Sequence, residues 1–489
     1  MAGIAGILAK NPDKSTVERM LETLAHRGPD LMRIDENGPL CAGVRASELS
    51  DPRGDGYATD GEATIFFDGE IYNYRAPGQT DAEAALELYH TYGRAFPGHL
   101  EGVFACAIWD GEELLLARDT VGVRPLYWGR TADGDLCFAS EMKSLVGIAE
   151  EITELLPSTA FSSVTGTGAY LPYHAEVHVP RGEDEAIARV REAMLGAVQR
   201  RIDDGAVGAC LLSGGLDSSI IACAAHHLGL RDIPLITVGV EGAPDVENAK
   251  IVAAQLGMEH VIRIYTPEDV ERLVPDAVWT MESFDEDCVS GTIANMIASS
   301  EAAQRTNCIL SGEGGDELFG GYHLLKEQAT DNDKLRMMDQ LIAVAYNTAV
   351  QRLDRAMMAN SINYRTPFID AEVVAVAMQL PVNWKIHPRG AKEIEKWIIR
   401  EAFADLLPRE IYERDKLRFS GGTGTDGLMD RLAEDKLADG AWSDQDESNK
   451  TPAGYVLSSP KEMWYYNIFK EKFPGKAFEP LVGRWDPGK

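Results

Sequence analysis

Ser213-Gly-Gly-Leu-Asp-Ser-Ser219 packs two glycines, three hydroxyls and one carboxylate into a short stretch. The apolar run Ala209-Cys-Leu-Leu212 precedes it and Ile220-Ile-Ala-Cys-Ala-Ala225 follows, a pattern of buried strand, tight turn and helix start. Such a turn binds phosphate: glycines let the backbone come close, first-turn N–H groups lack intrahelical partners, and the helix dipole favours an anion there. Ser213, Ser218 and Ser219 add hydroxyl donors. Asp217 beside a polyphosphate makes sense if a divalent cation lies between them. The lysine of G-x-x-x-x-G-K-[ST] is missing, which disfavours a site of the ordinary P-loop kind. The bland alternative is a Gly-Gly turn of the sort found in any α/β protein.

A second strand, Ile309-Leu310, leads into Ser311-Gly-Glu-Gly-Gly-Asp-Glu-Leu-Phe-Gly-Gly-Tyr322. Glu313, Asp316 and Glu317 crowd among glycines here, which is costly in backbone entropy and charge repulsion unless the loop has work to do. Asp217 with Asp316 would make a carboxylate pair able to hold Mg²⁺ on a pyrophosphate.

These two motifs together resemble the synthetase lobe of the asparagine synthetase family. The resemblance implies an ATP site at Leu212, Ser213, Gly214, Gly215, Asp217, Ser218, Ser219, Val238, Ser311, Gly312 and Lys396. It further implies Mg²⁺ on Asp217 and Asp316, and catalytic roles for Glu313 and Lys416. Arg352-Leu-Asp through Arg365-Thr-Pro-Phe-Ile-Asp370, Lys396-Trp-Ile-Ile-Arg400 and Arg414-Asp-Lys-Leu-Arg-Phe-Ser-Gly-Gly422 also fit. Asn363 stands where the family has Glu. In β-lactam-forming relatives a Glu there supports a Tyr base, so that chemistry is disfavoured. For Lys396 and Lys416 taken singly, an ordinary surface lysine is the competing reading.

The first 150 residues resemble the glutamine-hydrolysing lobe of the same family through Arg27-Gly-Pro-Asp30, Asp68-Gly-Glu-Ile-Tyr-Asn73, Asp81, Ala117-Arg-Asp-Thr-Val-Gly-Val-Arg-Pro-Leu-Tyr127 and Phe138-Ala-Ser-Glu-Met-Lys143. By that resemblance Arg45 and Asp81 would hold the glutamine α-carboxylate and α-amine, with Asp68, Gly69 and Glu70 completing the pocket. Two departures matter. Asp68 replaces an Asn whose amide helps bind an oxyanion, and a carboxylate there repels one. Ala2 occupies the position of the nucleophilic Cys, and a methyl group cannot attack an amide. Either the lineage has lost the nucleophile, or Ala replaces a natural Cys; retention of Arg27, Glu70 and Asp81 favours the second.

The elements positioning these residues fall into two textures. From 1 to about 150, short strands with glycine turns dominate, and Ser15–Ala25 (Ser15 as N-cap, Glu18 completing a capping box) and Asp81–Tyr92 carry helical spacing. This predicts an α+β lobe over 1–155 of layered antiparallel sheets, which the family resemblance makes an N-terminal-nucleophile hydrolase fold. Ser/Thr/Gly/Pro-rich residues 156–183 read as an interdomain connection with a hairpin. From 184 to 489, strands alternate with helices and then helices take over, predicting a doubly wound parallel sheet with C-terminal helices and ligands at the strand C-termini. By the resemblance, this is the ATP-pyrophosphatase type. Asp439–Lys450 reads as an acidic surface loop.

Composition narrows the partners. With 78 acidic against 47 basic residues and a formal charge of −31, nucleic acid and anionic membranes are excluded as main ligands. Seven cysteines without C-x-x-C indicate neither a disulfide framework nor zinc. Neither a signal-like start nor an apolar run long enough to span a bilayer is present, and the expectation is a cytoplasmic enzyme. The function implied is an ATP-dependent amidotransferase that adenylates a carboxylate, by default aspartate, and amidates it with ammonia from glutamine, the glutaminase step being disabled by Ala2. The substrates would be glutamine, ATP and the acceptor, and a homodimer is the candidate assembly. The alternatives are another acceptor or nitrogen nucleophile, and a non-catalytic metabolite-binding relative.

Overall fold

The computed structural model describes residues 2–47, 53–74, 76–173, 178, 180–390, 392–416, 419–436 and 449–484. Most of the expected acidic loop at 439–450 lies outside them.

The first lobe is built on two six-stranded antiparallel sheets. The strands are β1 (Ala2–Leu8), β2 (Leu31–Asn37), β3 (Leu40–Ala46), β4 (Tyr57–Thr59), β5 (Thr64–Ile71), β6 (Gly102–Trp109), β7 (Leu114–Arg118), β8 (Tyr127–Thr131), β9 (Leu136–Ala139), β10 (Ala149–Glu154), β11 (Thr159–Ser162) and β12 (Gly166–Ala169). Their orders are β10-β8-β9-β1-β3-β2 and β12-β11-β7-β6-β5-β4. Ile4, Val44, Phe66, Ala105, Ala107 and Phe138 fill the space between the sheets. Helix α2 (Asp81–Tyr92) covers the outer face of the second sheet through Ala84, Ala85 and Leu88. Burial on both faces explains why all eight residues of β5 are buried and why its sequence does not alternate.

Helix α1 (Lys14–Thr23) is capped by Asp13, whose carboxylate accepts from the Ser15 N–H, so the capping box expected at Ser15 and Glu18 does not form. Thr80 and Glu83 form one at α2 instead. Within the connection expected at 156–183, β11 and β12 form the expected hairpin, and β11 also pairs with β7, extending the first lobe's sheet past residue 155.

The second lobe opens with α3 (Glu183–Ile202) and continues β13 (Ala209–Leu211), α4 (Leu216–His227), β14 (Leu235–Gly239), α5 (Pro244–Leu256), β15 (His260–Ile264), α6 (Pro267–Met281), α7 (Glu286–Ala302), β16 (Cys308–Leu310), α8 (Gly315–Phe319), α9 (Asp331–Ala345), α10 (Ala349–Met358) and β17 (Asn363–Arg365). These five strands pair in parallel, in the order β15-β14-β13-β16-β17. The order reverses at β13, so the loops after β13 and β16 flank the switch point, where open α/β sheets bind ligands. Helices α11 (Ala371–Gln379), α12 (Val382–Lys385) and α13 (Trp397–Ala402) follow, with further helices to residue 472.

An apolar cluster runs across the lobe boundary, joining Met20, Leu21 and Leu145 to Val274, Val278 and Ile293. The lobes therefore share a core as well as a polar interface. All seven cysteines are buried, and among the described residues no disulfide joins them. Among the described residues no helix is long and apolar enough to cross a membrane.

Candidate active site

The two glycine-rich loops meet. A Cβ on Gly312 would lie 2.7 Å from the Ser218 nitrogen, so the second loop presses its backbone on the first where only glycine fits. Gly214 has φ +80°, and a Cβ there would strike the Asp245 carbonyl. Around this junction lies a cavity of about 210 Å³ whose wall includes Leu212, Ser213, Gly215, Asp217, Ser218, Val238, Ser311, Gly312, Glu313, Asp316 and Lys416. Ser219, expected as a hydroxyl donor, is turned away. It is fully buried and donates to the Gly215 carbonyl at 2.6 Å. Ser218 stays in the wall, its hydroxyl 2.9 Å from that of Ser213.

Asp217 and Asp316 converge on one ammonium. Lys396, fully buried, donates to Asp217 and lies 2.7 Å from Asp316 Oδ1, while Lys416 lies 2.8 Å from Asp316 Oδ2. Lys396 thus bridges the carboxylates from behind the cavity wall instead of projecting into it. Its backbone is left-handed at φ 54°, which costs a non-glycine residue about 1–3 kcal/mol and persists only where surroundings enforce it. Burial opposes ionisation of Asp316, but the two ammoniums outweigh it and hold the carboxyl below its usual range. Lys416 is correspondingly held above the ordinary lysine value: burial works against its charge, and Asp316 and Asp217 overcome it. Burial, partly offset by Arg352, raises the Glu313 carboxyl.

Asp217 Oδ1 is buried with no hydrogen-bond partner. Among the described residues no three His, Cys, Asp or Glu side chains cluster into a protein-only metal site. An orphaned carboxylate oxygen beside a second carboxylate suits Mg²⁺, which takes its other ligands from phosphates and water. Arg414 was read only as part of a motif. It donates to the Gly214 carbonyl and at 2.7 Å to Asp245, fastening the first loop from outside. Arg352, likewise quoted only within its motif, enters the cavity wall and donates to Glu313 at 3.2 Å.

The candidate residues of the first lobe are engaged differently. Ala2 is buried, and its N–H donates to Asp68 at 3.1 Å. Arg27 donates to Asp68 at 2.8 Å and to the Ala2 carbonyl at 3.1 Å. A guanidinium-paired carboxylate cannot donate to an oxyanion, so Asp68 is no substitute for an amide. Glu70 accepts from Arg365 at 2.7 Å, Asn363 at 2.8 Å and Tyr72 at 2.8 Å. Asp81 accepts from Arg53 at 3.4 Å, and Arg45 donates to the Pro29 carbonyl while its Nε is buried without a hydrogen-bond partner. Gly69 is dictated by sheet packing, since a Cβ would meet the Val103 carbonyl of the neighbouring strand.

This network continues into the second lobe. Arg27 and Arg124 clamp Asp354 at 2.8 and 2.6 Å, Arg124 also donates to Asn363 at 3.0 Å, and Arg365 reaches Asp204 at 2.7 Å. Burial opposes the charges of Glu70 and Asp354, but their arginines prevail and hold both carboxyls below the usual range. Retention of Arg27 and Glu70 therefore has a structural cause at the lobe interface. Asn363 belongs to this interface and is absent from the cavity wall.

Two packed antiparallel sheets locked to a parallel-sheet lobe with paired acidic glycine loops are the arrangement of a two-lobe ligase of the amidotransferase class. Residues 1–167 match the model of the glutamine amidotransferase domain, and 189–349 and 336–476 match that of asparagine synthase. Relatives include the glutamine-hydrolysing asparagine synthetases of Sandersonia aurantiaca, 31% identical over 97% of this chain and 96% of that protein, and of Brassica oleracea, 30% identical over 97% and 86%. The chain belongs to the asparagine synthetase family.

Proposed function

We propose that this chain uses ATP to adenylate a carboxylate and passes the acyl group to ammonia, with aspartate as the default acceptor. The observation carrying this reading is the convergence of Asp217 and Asp316 on Lys396 at the C-terminal ends of adjacent parallel strands. A carboxylate oxygen attacks the α-phosphorus of ATP and the bond to pyrophosphate breaks. Ammonia nitrogen then attacks the acyl carbon, AMP leaves and a proton passes to Glu313. Lys416 neutralises charge at the bridging oxygens, and Ser213, Ser218 and the loop N–H groups hold phosphate oxygens. Mg²⁺, held by Asp217 and Asp316, would supply charge neutralisation for the leaving pyrophosphate.

The ammonia is not made in the first lobe of this chain. Ala2 offers no nucleophile, and Asp68, Glu70 and Asp81 are committed to Arg27, Arg365 and Arg53. This favours a lineage without glutaminase chemistry over the replacement of a natural Cys by Ala.

The test is pyrophosphate release with ATP, Mg²⁺ and a panel of carboxylates, supplied with ammonium or with glutamine. Aspartate with ammonium is expected to support release and glutamine to leave it at background. Release with another acid or amine and none with aspartate would select a different acceptor or nucleophile, and no release with any acid would return the chain to a binding role.

A further inference from the structure

Most buried arginines in this protein spend their donors on the protein. Arg365 donates to Glu70, Asp204 and the Arg201 carbonyl, and Arg27 to Asp68, Asp354, Glu141 and the Ala2 carbonyl. That saturation is what makes a buried guanidinium tolerable, because each desolvated N–H left unpaired is costly.

Arg352 breaks the pattern. Its side chain is 17% exposed and sits in the wall of the reaction cavity, yet among the described residues it donates a single hydrogen bond, from Nη2 to Glu313. Its Nε is buried and unpartnered, as is that of Arg124, Arg201 and Arg355, so what sets Arg352 apart is its single hydrogen bond together with its place in the cavity wall. The guanidinium is laid against the backbone of α7 at Gly291, where a Cβ would stand 2.8 Å from Cδ and 3.0 Å from Nη1. One turn on, at i+4, Asn295 also lines the cavity, 5% exposed, with no hydrogen bond from its side chain to any described residue. Residues 288, 291, 295 and 298 follow the three- and four-residue spacing of one helix face. Cys288 and Ala298 complete that face as small residues in the wall, leaving room above Arg352.

We propose that Arg352 and Asn295 form the subsite for a second anionic group on the acceptor, so that the enzyme selects dicarboxylates and activates the carboxylate away from Arg352. A guanidinium with an open edge takes a carboxylate through two parallel N–H···O bonds, and an adjacent amide donates a third. Gly291 is the positioning residue, setting the guanidinium's height over the helix. The subsite rests on the adenylation reading and adds the identity of the discriminating cation.

The experiment is ATP–pyrophosphate exchange with matched pairs, aspartate against β-alanine and glutarate against butyrate, for the wild type, Arg352→Gln and Gly291→Ala. The wild type is expected to favour the dicarboxylate by about 100-fold in kcat/KM, the worth of a charge-assisted bidentate pair. Arg352→Gln should bring the two acids within a few-fold of each other through a higher KM for the dicarboxylate, with KM for ATP unchanged. Gly291→Ala, a substitution favourable to a helix interior, should cut the preference about tenfold without lowering Tm, and it decides the matter if Arg352→Gln fails to fold. No preference in the wild type, or equal slowing on both acids in Arg352→Gln, would overturn the subsite and leave Arg352 as a mere holder of Glu313. Absence of exchange with every acid would instead refute adenylation itself.

Discussion

Two dense clusters of buried charge lie in this molecule, and they differ in how completely they are satisfied. At the lobe interface Arg27, Arg124 and Arg365 meet Asp68, Glu70, Asp204 and Asp354 in multiply bonded pairs that leave Arg124 Nε as the open donor. In the reaction cavity Asp217 Oδ1 and Arg352 Nε are left without partners, and Glu313 is raised by burial. Satisfied buried charge is architecture, since it fixes geometry and has nothing left to offer a ligand. Unsatisfied buried charge is tolerated where something else completes it, which is the physical mark of a binding or catalytic site.

Each prediction probes one side of this contrast. Lys416→Ala should lower exchange by about 10³-fold by removing a preorganised cation from the developing charge, while folding is retained. If exchange survives, the cavity cluster is as structural as the interface. Arg365→Ala strands Glu70 and Asp204 in the interface and should cost about 3–5 kcal/mol in denaturant unfolding. A loss under 1 kcal/mol would show that the interface has slack.

Acid should loosen the same interface. The Asp204 carboxyl is pulled to about 2 from 3.8: burial resists, and Arg365 with Arg53 more than compensates. A depressed folded-state value contributes stability that is complete above pH 3.8 and lost as pH falls through about 2. Arg365→Ala should flatten that acid limb in a Tm-against-pH series; an unchanged limb would mean the pair is not the titrating unit. The smallest effect is expected from Ala2→Cys, which should yield no ammonia from glutamine in a glutaminase assay, because Asp68, Glu70 and Asp81 stay occupied. Glutamine turnover by that variant would show the pocket is still a pocket.

The cavity was largely legible in the sequence because its chemistry is local. Glycines, hydroxyls and carboxylates sit together in two short loops, each at the end of an apolar strand, and the parallel rhythm predicts that such loops share an edge. Arg352 was legible as part of a motif but its role was not, since that comes from the missing Cβ of Gly291 on another helix. Ser219 reads as a donor by composition and is removed from the site by helix geometry, which points its hydroxyl at Gly215. The interface was illegible for the opposite reason. Arg27 and Asp354, or Glu70 and Arg365, are partners across hundreds of residues, and no spacing rule connects them. The hairpin read in residues 156–183 is β11–β12, but its Ser, Thr and Gly gave no sign that β11 would also pair with β7 and continue the first lobe's sheet.

The account stands on the convergence of the two acidic loops, and ATP–pyrophosphate exchange in Asp217→Asn and Asp316→Asn measures it most directly. With ATP, Mg²⁺ and a competent carboxylate, both variants are predicted to lose exchange by at least about 10³-fold while remaining folded. Exchange at wild-type rates in either variant would contradict it, because the carboxylate pair would then be only a counter-ion for Lys396.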